Sequence, residues 1–439
     1  MTDDRPAGAG DILTLGFGST TAMWTVGYFC RLPTLAVPTP VVGALMLVCL
    51  IGGGMVAGAW SPRGRRAGLY AGLLAAVLNL LILGGLLGRV DQPNRVVPSA
   101  AWWAPGSVLV GMALCGLGSL VGAGLRSAAA QTRNWTGSFA TVAASATLLL
   151  LAVGGMVTGY QEGLAVVDWP NSYGCNMFLY PLSRMMGGIY YEHAHRLIGS
   201  LVGLTTVVLA VHLWRVDRRG RLRALAIAAV LMVIVQGVLG GLRVTGRFTL
   251  STQREDVAPS IALAIVHGVF GQMFFAVLVA LRAFVSTTWR STLPPSPSLA
   301  TSTERTLSAW LVALLIVQLV LGAILRHIAG GLHMHITLAV VVVLLAVACG
   351  SRAWGLHADR PVLPRIGRWM LALVGVQVVL GIAALAVTGI TAVAKAPGTA
   401  DVVITGLHQL VGALLLASAV MLLVWNHRLL SPADSPCST

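Results

Sequence analysis

Apolar residues fall along this chain in blocks of about 20, the length that carries an α-helix across the hydrocarbon core of a bilayer. Short polar stretches separate them. Eight blocks stand out beyond residue 136, at 137–159, 191–213, 222–243, 260–282, 307–326, 332–350, 366–388 and 402–425. Three more precede them, at 40–60, 67–88 and 105–125, and a weaker one at 12–30 is interrupted by Ser19, Thr20 and Thr21. Inside a bilayer every backbone polar group needs a partner within the chain, which helices provide. The pattern therefore predicts an all-α polytopic membrane protein of eleven or twelve spans.

Composition agrees. Of the 439 residues 56% are apolar and only 10% charged, against about 25% charged in an average soluble domain, which excludes a soluble enzyme. The net charge of +15 comes from 29 basic and 14 acidic residues. These arginines are dispersed between apolar blocks, with no basic stripe or aromatic platform of the kind that nucleic acid requires. They read as topology signals, because short basic loops stay in the cytoplasm. Alternate loops hold Arg63, Arg65 and Arg66; Arg126 and Arg133; Arg215, Arg218, Arg219, Arg221 and Arg223; Arg282, Arg290 and Arg305; Arg352, Arg360, Arg365 and Arg368. The opposite loops carry the acids Asp91, Glu162, Asp168, Glu192, Glu255, Asp256 and Asp401. Met1–Asp11 holds three acids and one arginine, unlike a signal or transit peptide, so the first span is expected to be retained. The six cysteines are scattered without C-x-x-C spacing and predict neither a thiol metal site nor a disulfide framework.

An internal repeat divides the chain. Q-G-V-L-G-G at Gln236 and Q-V-V-L-G-I at Gln377 are 141 residues apart, as are V-H-G-V-F-G at His267 and L-H-Q-L-V-G at His408, while His195 and His335 differ by 140. A third Q-L-V-L-G at Gln318 points to a smaller hairpin repeat inside each copy. The expected organisation is an N-terminal membrane extension of three or four helices (1–130), a first four-helix bundle (131–290), a cytoplasmic linker (291–305), a second, pseudosymmetric four-helix bundle (306–430) and a short tail (431–439).

His195, His267, His335 and His408 fall near the outer end of every second helix of the repeat, at one expected membrane depth. Each has a small residue four positions on, at Gly199, Gly271, Ala339 and Gly412, one turn deeper on the same helix face. Two histidines from facing helices of a four-helix bundle can ligate one haem iron. Each copy supplies one pair, His195 with His267 and His335 with His408. Zinc is disfavoured because no Cys or carboxylate cluster accompanies three of the four. His193 and His333 sit two residues before a chosen ligand, face away from it on a helix, and are second choices. Arg196, Arg243 and Arg326 can each pair with a haem propionate or simply snorkel to the interface. Glu192, one turn before His195, can orient the imidazole, act as a base, or merely sit at a helix start.

With these residues in view, the chain resembles the haem A synthase family of cytochrome oxidase assembly proteins. The resemblance rests on G-G-M-V-T-G at Gly154–Gly159, D-W-P at Asp168–Pro170, E-H-A-H-R at Glu192–Arg196, and the two histidine motifs at His267 and His408, over about residues 137–428. It implies two pseudosymmetric bundles and an oxidoreductase that converts the C8 methyl of haem O into a formyl group. The second copy would bind haem b as cofactor through His335 and His408. The first would receive haem O as substrate, with His195 and His267 facing its iron and Glu192 near the reacting methyl. The partners implied are membrane lipid, haem O synthase, cytochrome oxidase assembly factors and an unidentified electron partner. The expected location is the bacterial cytoplasmic (inner) membrane, with haem sites toward the outer face. This chain departs from the family where some members carry a cysteine pair around D-W-P: Val166 and Ser172 stand there, with only Cys175 nearby. A membrane dihaem cytochrome b, passing electrons without chemistry on either haem, is the alternative reading.

Overall fold

The computed structural model describes residues 9–35, 37–92, 94–126, 133–246, 259–291, 294–389 and 397–432. Glu255, Asp256, Cys437 and Met1–Gly8 lie outside the described residues. Among those described the regular elements are helices, apart from two three-residue strands. The helices are α1 (Gly10–Cys30), α2 (Thr39–Trp60), α3 (Arg65–Leu87), α4 (Ala100–Ala123), α5 (Trp135–Gly159), α6 (Gly188–Val216) and α7 (Gly220–Thr245). They continue with α8 (Ile261–Phe284), α9 (Thr287–Arg290), α10 (Thr301–Ile328), α11 (Leu332–Leu356), α12 (Val362–Thr388) and α13 (Thr399–Leu429). Eleven of them are long and apolar enough to cross a membrane, and the protein is an integral membrane protein. α1 is the weak block of the sequence: its Thr14, Thr20, Thr21 and Thr25 hydroxyls return to the carbonyl four residues earlier. That bond hides the hydroxyl within the helix, so a helix forms although its hydropathy is low.

The chain separates into two compact units, the first holding α1–α4, α5 up to Val157, α6 and most of α7, the second Thr158–Tyr160, the Val238–Arg243 segment of α7 and the residues from Pro259 onward. In the first unit α1–α4 pack as a cluster of neighbours, α2 on α4 and α3 on α4 most extensively. Small residues allow it. A Cβ on Gly54 or Gly58 of α2 would run into the α4 backbone at Cys115 or Ser119, and one on Gly118 or Gly122 of α4 would run into Ile51 or Met55 of α2. These are reciprocal small-xxx-small faces, which give close van der Waals packing where the lipid itself is apolar.

In the second unit α10, α11, α12 and α13 form a closed ring of neighbours, and α8 lies against α10 and α13. Leu311, Leu315, Val342, Ala346, Met370, Val374, Leu415 and Leu422 fill the interior, joined by Ala276 and Ala283 of α8. The opposite faces stay apolar and open, as at Ile382, 66% exposed, which is what a lipid-facing surface requires. The stretch expected as a linker is partly ordered. Ser296–Ser298 pairs in parallel with Leu430–Pro432, and α10 starts at Thr301 rather than near 307. Its first turn is apolar-poor but buries Glu304, which pairs with Arg352 at 2.8 Å.

Candidate functional site

The four histidines singled out by the repeat occupy equivalent seats. Each lies in the first turns of a helix that follows another in the chain, and each ring rests on a glycine of that preceding helix. A Cβ on Gly154 of α5 would stand 3.0 Å from Cε1 of His195 in α6, and one on Gly240 of α7 would stand 3.1 Å from Cε1 of His267 in α8. In the second unit the same holds for Gly322 of α10 with His335 of α11, and for Gly381 of α12 with His408 of α13, both at 3.1 Å. Real Cβ atoms seldom come so close, so these positions admit an imidazole only because no side chain is there. The small residues one turn beyond the histidines serve differently from what the sequence predicts. Gly412 faces Gln377 and Gly199 faces Leu150, each the residue one turn before the glycine seat.

His335 and His408 meet inside the second unit, with ring centroids 6.4 Å apart and planes at 70°. Two imidazoles that share one metal ion end to end have centroids roughly 6 Å apart, from two metal–nitrogen bonds of about 2 Å and the two ring radii. The observed spacing fits a haem iron between them. The amide of Gln318 touches His335, its Nε2 lying 3.1 Å from Nδ1 and donating at 3.0 Å to the His335 carbonyl. Gln377 approaches the other ring, Nε2 to His408 Nε2 at 3.4 Å, and His408 Nδ1 is buried without a protein partner. Beside this pair Arg326 donates to Gln409 Oε1 at 3.1 Å, with its guanidinium close to where a Gly159 side chain would be. A half-buried guanidinium next to a pair of imidazoles at this spacing suits a propionate carboxylate. Arg243 ends the α7 segment of the same unit, where its carbonyl accepts from Ser260 N at the start of α8.

In the first unit Glu192 and Arg196 do something more specific than the sequence predicts. They form an i,i+4 ion pair at 2.7 Å, both side chains under 10% exposed. Arg196 also donates to the carbonyls of Val166, Asp168 and Asn171, while Glu192 Oε2 accepts from Val166 N. The pair therefore clamps the D-W-P connection onto the start of α6, one turn from His195. Asp168 in turn accepts from Tyr173 N and Gly174 N at 2.7 and 2.8 Å. Those bonds hold Tyr173 at a φ of 52° and Gly174 at 73°, a left-handed turn that only such capping makes affordable for a tyrosine. His193, fully buried, points its Nδ1 at Ser172 Oγ (3.0 Å) and packs on Tyr180. His333 is exposed. His212 is tied to Thr136 Oγ1 at 3.0 Å.

The residues missed at the sequence level are the glycine seats and their glutamines. Their signal was present in the repeated Q-x-x-x-G at Gln236, Gln318 and Gln377, which marks the period but does not by itself say that the glycine faces a ring.

Fold and site together define a class: polytopic helical membrane proteins whose hairpins seat imidazoles on glycines, with one pair, His335 and His408, meeting inside a helix bundle. Residues 137–335 match the family described as "Cytochrome oxidase assembly protein", and over that stretch the chain is similar to it. A heme A synthase of Alkalihalophilus pseudofirmus is 31% identical over 105 residues, 23% of this chain and 34% of that one. One of Shouchella clausii is 34% identical over 96 residues, 21% of this chain and 30% of its own. A protoheme IX farnesyltransferase of Haloarcula marismortui is 30% identical over 154 residues, 35% of this chain and 30% of that one. The chain thus spans about a third of the length of the curated relatives it matches. No solved structure matches it.

Proposed function

We propose that the protein is an oxidoreductase that converts the C8 methyl of haem O to the formyl group of haem A, with a haem b held by His335 and His408 as cofactor. The observation that carries this reading is the pair of imidazoles 6.4 Å apart, each on its own glycine seat. The haem would supply the electron-transfer chemistry. The protein would supply axial nitrogens, a dry apolar bundle around them and Arg326 for a propionate, with Arg243 as a second candidate. The sequence repeat, which matches His195 to His335 and His267 to His408, supports these two histidines as the haem O ligands. Glu192 and Arg196 act next to that site by fixing the D-W-P connection over the start of α6. The names of the haem A synthase relatives support the activity, and the farnesyltransferase relative supports haem O and its synthase as neighbours in the same process. The alternation of basic loops supports a bacterial cytoplasmic membrane, with the histidine ends facing outward.

The test is co-expression with a haem O synthase in a host that lacks its own enzyme, followed by chromatography of the extracted haems. Haem A or its hydroxylated precursor is expected. Two retained b haems with neither product, in membranes that contain the protein, would favour the dihaem electron-transfer reading instead.

A further inference from the structure

The N-terminal helices have no counterpart in the repeat, yet inside the first unit they grip the α5–α6 hairpin at the end that carries His195. At the start of α6, Tyr190 donates to the Tyr28 carbonyl of α1 at 2.6 Å and stacks on its ring at 5.5 Å. The Tyr28 hydroxyl lies 3.3 Å from Sδ of Met156, two residues past the Gly154 seat. α1 thus touches both sides of the hairpin. The end of α3 holds the connection between them. A Cβ on Gly84 or Gly88 would collide with the carbonyls of Phe178 or Leu179, and one on Gly85 would be 2.7 Å from that of Tyr180. Here the chain of α3 lies directly on the backbone of the connection, an approach that only glycine allows. Just beyond, Asn94 sits in the left-handed region at a φ of 64°. Its Oδ1 accepts from Asn176 N at 2.5 Å and its Nδ2 reaches the Gly174 carbonyl at 3.5 Å. Arg184 Nη2 donates to the Val90 carbonyl at 2.8 Å.

The same connection carries, a few residues earlier, the Asp168 turn, the Ser172 hydroxyl on His193 and the carbonyls taken by Arg196. The contacts form one continuous path: α3 end, residues 174–184, the Asp168 turn, Glu192 and Arg196. We propose that the N-terminal extension is a brace for the first hairpin, and that Gly84, Gly88 and Asn94 are positioning residues which hold the 160–187 connection, and with it the Glu192–Arg196 clamp, over the His195 end of α6. The consequence for catalysis rests on the function proposed above; the positional claim does not.

Hydrogen exchange of the full-length protein, read by mass spectrometry on peptides within 166–187, tests it. Asn94→Gly keeps the left-handed backbone and removes the side-chain bonds. Exchange in 172–184 should rise roughly tenfold, with the haem b absorbance of the second unit unchanged. Asn94→Asp, which keeps the acceptor for Asn176 N, should restore most of the protection. Gly88→Val should loosen the connection further, and if it fails to accumulate the asparagine pair still decides. Unchanged exchange in Asn94→Gly, or loosening spread equally over the second unit, overturns the proposal. A wild-type protein that makes no haem A would instead overturn the catalytic reading and leave the exchange result standing as evidence for the brace.

Discussion

Two hairpins of the same repeat, α5–α6 and α10–α11, seat a histidine on a glycine in the same way and differ in almost everything built on top. Between α10 and α11 the chain turns through Ala329, Gly330 and Gly331 alone, with Ala329 and Gly331 in the left-handed region. Between α5 and α6 run residues 160–187, folded around Asp168 and clamped by Glu192 and Arg196. One turn before the glycine, α10 offers Gln318 to its histidine, whereas α5 has Leu150 at that position, facing Gly199. A short cap and an amide against the ring make a fixed site. On the proposed function, a long connection clamped onto the start of α6 suits a molecule whose position must be controlled, but which must also enter and leave. On that same function, the contrast matches two roles for the repeat, a resident cofactor at His335 and His408 and a substrate at the His195 hairpin.

The largest effect should come from the seats. Gly322→Leu or Gly381→Leu places a branched side chain where the ring now lies, so the purified protein should lose nearly all of its bound haem b, measured by its reduced absorbance per protein. The same change at Gly154 should spare haem b and abolish haem A formation in the co-expression host. If the Gly154 variant loses as much haem b as the other two, the division of roles between the hairpins fails.

Next in size is the clamp. Glu192→Gln leaves Arg196 facing a neutral amide, and a hydrogen bond to a charged partner is worth about 1.5–3 kcal/mol. Product formation should drop about tenfold or more while the haem b content stays at the wild-type level; an unaltered rate would leave the carboxylate with no part in the reaction. Gln318→Leu, which copies the first hairpin into the second, should be milder. Loss of a group that orients an axial histidine weakens binding by about 10–100-fold in metal sites. A shifted midpoint potential with haem still bound is the expected outcome, read by redox titration. The smallest effect should come from Leu150→Gln, the reverse exchange. It should slow release of the first-site haem, seen as more haem O or haem A co-purifying with the protein.

How much of this the sequence disclosed follows from what each feature depends on. The spans are legible because a bilayer imposes length and apolarity on each helix separately, and α1 is weak for the same reason: Ser19, Thr20 and Thr21 lower its hydropathy, and only the folded helix shows the Thr20 and Thr21 hydroxyls satisfied. The four histidines are legible because the repeat places them at one offset. Their glycines are not, since which of two small residues faces a ring depends on the register between helices: the pattern within one helix points to Gly199 and Gly412, whereas Gly154 and Gly381 carry the contact. The charge and position of Arg196 allow a propionate partner or an interfacial snorkel. In the fold its guanidinium is taken up by Glu192 and three carbonyls, contacts that depend on how residues 166–171 come back over α6, which no helical periodicity encodes.

The central claim is that His335 and His408 together hold one haem. Optical and electron paramagnetic resonance spectra of the purified protein test it most directly, taken for wild type and for His335→Ala and His408→Ala separately. The account predicts a low-spin bis-imidazole signal that either substitution removes, leaving any haem bound through the first bundle. A low-spin signal of undiminished intensity in both variants would contradict it.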